Sequence, residues 1–209
     1  MDMINRDQII SWIVNYVKLI NENKDFLTKL DLEIGDGDHG TNMQRGMSKV
    51  IEGIEMYKDR SIYDILNYVG KTLMSTVGGA SGPLYSLLFI KGSQAVKDKQ
   101  CISLEDLINF FNIGLNSIES FGGADIGSKT MIDSLSPALD ALKENRYKSL
   151  PEALNSAAEA ALNGSKITIP LVAKKGRASY LGERSKGHQD PGSYSMYLLF
   201  DALKEVFSK

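Results

Sequence analysis

The chain has one cysteine, five prolines, one tryptophan and two histidines in 209 residues. A lone Cys101 excludes an internal disulfide, and nothing points to an oxidising compartment. No apolar run approaches the roughly 20 residues of a membrane-spanning helix. The start, Met-Asp-Met-Ile-Asn-Arg-Asp, lacks the basic-then-apolar order of a secretory signal. A formal charge of −2 gives no electrostatic reason to expect nucleic acid or an anionic membrane as a partner. β patterning is equally scarce. Ile167-Thr168-Ile169 is the one β-leaning run, and it is too short to found a sheet. The expectation is a cytoplasmic, all-α chain, one domain over residues 1–209, with enough apolar residues (43%) to bury a sizeable core.

What the sequence does have is helical periodicity. Ile9, Ile10, Ile13, Val14, Val17 and Ile20 predict a helix over 7–22, followed by a short link from Asn23 to Leu30. Met43, Met47, Val50, Ile51 and Ile54 predict a second, capped by Thr41 or Asn42. Capping-box pairs Ser61/Asp64, Ser103/Asp106 and Ser149/Glu152 open three more, the last with Pro151 in its first turn and expected to run past Gly164 towards Ala173. Helices over 84–96, 131–142 and 193–207 complete a count of eight. Four connections are unusual: 31–40, 77–83, 121–127 and 174–192. In an up-and-down bundle they follow helices one, three, five and seven, so they share one rim.

Those four connections carry chemistry. Asp31-Leu-Glu-Ile-Gly-Asp-Gly-Asp-His-Gly40 gathers Asp31, Glu33, Asp36 and Asp38 among three glycines. Such a stretch disfavours regular structure, so tight turning is expected to bring the carboxylates together. Converging carboxylates call for a cation, and hard oxygen ligands suit Mg²⁺ or Ca²⁺. Counting an EF-hand from Asp36 or Asp31 puts Met47 or Asn42 where the bidentate glutamate belongs, so a dedicated calcium loop is excluded. Gly78-Gly79-Ala80-Ser81-Gly82 opens a helix, where free backbone N–H groups suit phosphate and Ser81 adds a hydroxyl. Gly122 to Thr130 imitates a P-loop, but Ser128 stands where the lysine should be and no buried strand precedes it, so a Walker A assignment fails. Lys129 and Thr130 either point at a phosphate or simply start the helix. Lys174, Lys175, Arg177, Arg184 and Lys186 form a basic segment from which Arg177 can clamp a phosphoryl group. His39 and His188, both in these loops, are candidate phosphate donors or proton carriers, or plain surface histidines.

Taken together, Gly35-Asp-Gly-Asp-His-Gly40, Gly78-Gly79-Ala80-Ser81-Gly82, Lys129-Thr-Met-Ile-Asp133, Gly176-Arg-Ala-Ser-Tyr-Leu-Gly-Glu-Arg184 and Gly187-His-Gln-Asp-Pro-Gly192 resemble the nucleotide-binding L subunits of dihydroxyacetone kinases. The motifs fall in order across nearly the whole chain. The resemblance implies a barrel of eight antiparallel helices around an apolar or lipid-like interior, with a nucleotide at one rim. It implies that Asp31, Asp36 and Asp38 hold two Mg²⁺, and that these aspartates and Arg177 act in catalysis. Nucleotide contacts map to His39, Gly40, Thr41, Asn42, Ala80, Ser81, Gly122, Met131, Arg177, Asp190, Pro191 and Gly192. Gly123 or Gly127 can take the place of Gly122. Met131 would pack on the adenine, and Glu33 has no ligand role. The absence of room for a substrate-binding K domain favours the split, phosphotransferase-system form. There, bound ADP cycles with ATP, is rephosphorylated by a phosphohistidine M subunit, and serves dihydroxyacetone on a K subunit. Two alternatives stand: the nucleotide domain of a related kinase such as fatty acid kinase, and a non-catalytic nucleotide or lipid sensor.

Overall fold

The structure is a computed structural model that describes residues 3–208. Met1 and Asp2 of the N-terminal reading, and Lys209 of the expected 1–209 domain, lie outside them. Nine α-helices form among the described residues: α1 (Arg6–Glu22), α2 (Lys24–Ile34), α3 (His39–Ile54), α4 (Ile62–Thr76), α5 (Ser81–Gly92), α6 (Leu104–Gly122), α7 (Ile132–Glu144), α8 (Leu150–Ile167) and α9 (Pro191–Phe207). No strand forms among them, and the single β-bridge joins Ile4 to Ile102 rather than using Ile167–Ile169. The all-α expectation holds. Among the described residues no helix is long and apolar enough to cross a membrane.

The count differs from eight because the link after α1 is itself a helix. Lys24–Ile34 buries Leu27, Leu30 and Ile34, an i, i+3, i+7 stripe that the Asn and Lys residues around it obscured. Asp31 therefore sits in a last helical turn, not in an open loop. Glycine breaks the helix only from Gly35, a few residues later than the stretch as a whole suggested. Two other boundaries move. α3 starts at His39, so Thr41 and Asn42 lie inside it. α8 stops at Ile167, well before Ala173, and Arg177–Ser185 winds into 3₁₀ turns.

Apart from α2, each helix packs on its neighbour in chain order, and α9 returns to α1, which also meets α3. The eight long helices thus close a circuit. α2 sits outside it, against the start of α3, the start of α9 and the 3₁₀ segment. The circuit closes through polar keys as well as apolar contact. Trp12 Nε1 donates to Leu199 O at 2.9 Å and Tyr16 OH to Ser195 O at 3.2 Å, tying α1 to α9. Inside, Trp12, Phe89, Phe110 and Phe111 pack edge to face or, for Trp12 with Phe89, tilted, at centroid distances of 5.1–6.1 Å, and all are at most 1% exposed. The apolar interior is filled there by aromatic side chains.

The tightest approach joins α7 and α8. Pro137 interrupts α7 and withholds the N–H that would bond the Asp133 carbonyl. A Cβ at Gly164 in α8 would lie 2.0 Å from that carbonyl oxygen and 2.9 Å from Pro137 Cγ. Neither obstacle is a flexible side chain, so Gly164→Ala must push the helices apart. We expect it to cost about 1–3 kcal/mol, lowering Tm by roughly 2–4 °C per kcal/mol in a chain of this size. A calorimetric Tm equal to wild type would refute the close approach.

Candidate functional site

Alternation of helix direction places the starts of α3, α5, α7 and α9 at one end of the circuit and those of α4, α6 and α8 at the other. The two ends are finished differently. At the far end Ser61, Ser103 and Ser149 pair with Asp64, Asp106 and Glu152, satisfying orphan terminal groups. At the rim, α3, α5 and α7 have no side-chain cap; only α9 does, Asp190 accepting from Ser193 N at 2.6 Å. Uncapped helix starts leave N–H groups and a positive dipole end for an outside acceptor.

These starts surround a cavity of about 520 Å³. Of the residues singled out from the sequence, Asp31, Asp36, Asp38, His39, Asn42, Ala80, Ser81, Met131, Arg177, Asp190, Pro191 and Gly192 line it. Gly40, Thr41 and Gly122 do not. Gly40 instead faces α2, where a Cβ would lie 2.1 Å from Lys24 O; it lets α2 lie against α3. Thr41 is exposed and Gly122 ends α6. Gly123 and Gly127 do not line the cavity either.

Oxygen atoms of Asp31, Asp36 and Asp38 come within 4.8 Å of one another. Asp31 is the keystone. Its Oδ2 accepts the amides of Asp38 at 2.8 Å and His39 at 3.1 Å, and its Oδ1 fills the space a Cβ at Gly35 would need, 2.1 Å away. Burial raises its pKa, the two amides oppose this, and Asp36 and Asp38 add to the rise. Arg177 NH1 meets Asp36 Oδ2 at 2.8 Å, the only Lys or Arg within ion-pair reach of the trio among the described residues. Three carboxylates against one guanidinium leave negative charge in excess, and an all-oxygen set with open sides fits Mg²⁺.

Several residues that shape the site carried no signal in the sequence beyond their place in a motif. Asp133 is buried; Oδ1 accepts Gly127 N at 2.5 Å and Oδ2 accepts Thr130 N at 2.7 Å. It holds the turn that presents Thr130 and Met131, and holds Lys129 at φ +62°. Lys129 does not aim freely at the cavity. It is 1% exposed, and its Nζ donates to Thr168 O at 2.6 Å and to His188 O, bracing the end of α8 against the 187–190 loop. Burial lowers its pKa, with Asp190 and Asp133 opposing. Glu33, given no ligand role by the resemblance, accepts from His188 Nδ1 at 2.9 Å, joining α2 to that loop. His39 is buried, which pushes it down to about 4.

The DAK2 domain family model matches residues 33–205. The chain is 43% identical over 202 residues to the PEP-dependent dihydroxyacetone kinase ADP-binding subunit DhaL of Escherichia coli strain K12, covering 96% of each chain. This chain belongs to the DAK2 domain family. The resemblance noted from its motifs is thereby borne out. A second DAK2 relative, the PTS-dependent dihydroxyacetone kinase ADP-binding subunit DhaL of Lactococcus lactis, is 41% identical over 98% of this chain and 99% of its own. Such relatives are kinase subunits, and the chain falls in their class, the phosphotransferases. Among solved structures, the native dihydroxyacetone kinase of C. freundii superposes with a TM-score of 0.74 at 27% identity, over 94% of this chain and 34% of that one. Its complex with AMP-PNP and Mg²⁺ gives a TM-score of 0.70 at 25% identity. This DAK2 domain spans about a third of that enzyme.

Asp190 offers a pH test of the cavity. Burial raises it to about 7, against an unfolded value near 3.9. The folded chain keeps a proton that the unfolded chain releases. The group's contribution to stability is full below about pH 4 and is lost as pH rises through about 7. Asp190→Asn removes the titration and keeps a good N-cap. In chelator, its thermal stability relative to wild type should rise between about pH 4 and about pH 8; a difference independent of pH would count against a buried acid there.

Proposed function

We propose that this chain is the nucleotide-binding subunit of a phosphotransferase-system-dependent dihydroxyacetone kinase of the cytoplasm. In this reading, bound ADP is phosphorylated by a phosphohistidine protein, the M subunit. The N–P bond breaks as an O–P bond forms on the β-phosphate, and the γ-phosphoryl group then passes to a hydroxyl of dihydroxyacetone held on the K subunit. The single observation that carries it is the convergence of three carboxylates, one arginine and three uncapped helix starts on one cavity. The near full-length relatives described as ADP-binding subunits support it.

Asp31, Asp36 and Asp38 would hold two Mg²⁺. The ions, when bound, would neutralise phosphate charge and polarise the phosphorus under attack. The chain's own residues do the rest by positioning. The α5 start at Ala80-Ser81 would offer amides to phosphate oxygens, and at the α3 start His39 and Asn42 line the same cavity while their amides are held by Asp31 Oδ2 and the Asp38 carbonyl. Arg177 exchanges its bond to Asp36 for the phosphoryl oxygens, where a planar fork of donors follows the spreading charge. Met131, only 4% exposed, gives the adenine an apolar, polarisable wall beside Pro191 and Gly192. Asp190, as N-cap of α9, keeps that wall in register. The acceptor's proton would leave on the K subunit, which holds that hydroxyl.

Three measurements test this. Heat-denatured, freshly purified protein should release about one ADP per chain, seen by ion-exchange chromatography; an empty protein that binds ATP reversibly would favour the ATP-dependent kinases. Asp38→Ala should weaken magnesium-dependent ADP retention roughly 10- to 100-fold, the worth of one charged contact, with an unchanged helical circular dichroism signal. Full retention would sink the metal assignment. With K and M subunits supplied, absence of transfer to dihydroxyacetone despite bound ADP would leave a nucleotide sensor instead.

A further inference from the structure

Both ring nitrogens of His39 are committed inside the protein. Nε2 lies 2.9 Å from Ser195 Oγ in α9, and Nδ1 lies 3.1 Å from Ser81 Oγ at the start of α5. Ser195 and Tyr85 are fully buried, and Tyr85 OH lies 2.8 Å from the same Ser195 Oγ. A proton count sets the direction of every bond. A serine hydroxyl has one proton to give and two lone pairs to offer. Ser195 Oγ is also 3.0 Å from the Gly192 carbonyl, which can only accept. Two oxygens at that distance with no proton between them repel, so the Ser195 proton goes to Gly192.

Tyr85 OH and His39 Nε2 must then both donate to Ser195. His39 has no carboxylate in hydrogen-bond contact, and an imidazolium buried among hydroxyls would lack a counter-charge. The neutral ring carries its one proton on Nε2, Nδ1 is bare, and Ser81 must donate to it. Ser81 lines the cavity, so its proton points into the protein and its remaining lone pair faces the ligand.

We propose that His39, Ser195 and Tyr85 are positioning residues that fix the Ser81 hydroxyl as an acceptor toward a metal–nucleotide complex, an inference that rests on the nucleotide reading above. Ionised phosphate oxygens only accept, so Ser81 Oγ does not hold them. It takes a cation, or a water held by one, and the backbone amides at the α5 start take the phosphate. His39 is accordingly neither a phosphate donor nor a proton carrier through its side chain.

The chain has two histidines, so ring ¹⁵N–¹H correlation NMR reads the tautomer of each, and His188→Gln assigns the pair. In full-length, nucleotide-free protein, His39 should carry its proton on Nε2 with Nδ1 bare. Tyr85→Phe, which leaves Ser195 in place, should keep that tautomer. Ser195→Ala should release it to a mixture and weaken ADP binding in magnesium by roughly 2- to 10-fold. A wild-type His39 protonated on Nδ1, or on both nitrogens, overturns the proposal even if no variant folds. An unchanged tautomer in folded Ser195→Ala overturns it as well. The predicted tautomer in a protein that fails to bind added ADP in magnesium would instead remove the nucleotide reading, leaving the hydrogen-bond directions intact, so the two failures are distinguishable.

Discussion

The carboxylate of Asp31 accepts the amide protons of Asp38 and His39 at 2.8 and 3.1 Å, and the rest of the rim is arranged around those two bonds. They stitch the last turn of α2 to the first turn of α3 across a glycine-bearing corner. In doing so they fix the spacing of three like charges that would otherwise drive the corner open. Gly35 is small because Asp31 occupies its side-chain space, and Gly40 is small because α2 lies against it. Tightness at this corner makes the carboxylates converge, and convergence makes them a site for a hard cation rather than an acidic surface turn.

The remaining parts of the site are bracing. Asp133 ties down the 127–130 turn, Lys129 spans from α8 to the 187–190 loop, and Glu33 with His188 links that loop back to α2. Each is a charged or polar group spent on backbone or on another side chain. Together they hold Met131, Pro191 and Gly192 opposite the carboxylates. A wall assembled from four separate connections needs such cross-ties, because no single helix carries both sides of the cavity.

Much of this was legible in the sequence, and the reason is local. Helix starts and faces follow from side-chain spacing, so Ser103 with Asp106 or the Ile9–Ile20 stripe announce themselves. Parity then placed the odd loops on one end without any tertiary information, and adding α2 did not disturb the result because it lies outside the circuit. What stayed hidden was long-range. Lys129 read either as a phosphate-seeking lysine or as a plain helix start, since nothing near it in sequence says that Thr168 and His188 carbonyls await it. Leu27, Leu30 and Ile34 were too few and too interrupted to announce α2. Ser195 and Tyr85 looked like ordinary helix residues because their partner, His39, is remote in the chain. Of the residues assigned by family likeness, most meet at the cavity, whereas Gly40 and Gly122 serve packing and helix ending.

The contrast between serine-capped helix starts at the far end and bare ones at the rim also sets a gradient of local stability. Amides of a capped first turn are held by bonds the chain makes to itself; at the rim Asp31 and Thr130 hold only the His39 and Ile132 amides of α3 and α7, and the start of α5, with no side-chain cap, depends on solvent or on a bound anion. Opening of the molecule is therefore cheapest where it binds, and a ligand seated there contributes to the fold as well as to chemistry. The far end folds on its own resources; the rim is completed by what it carries.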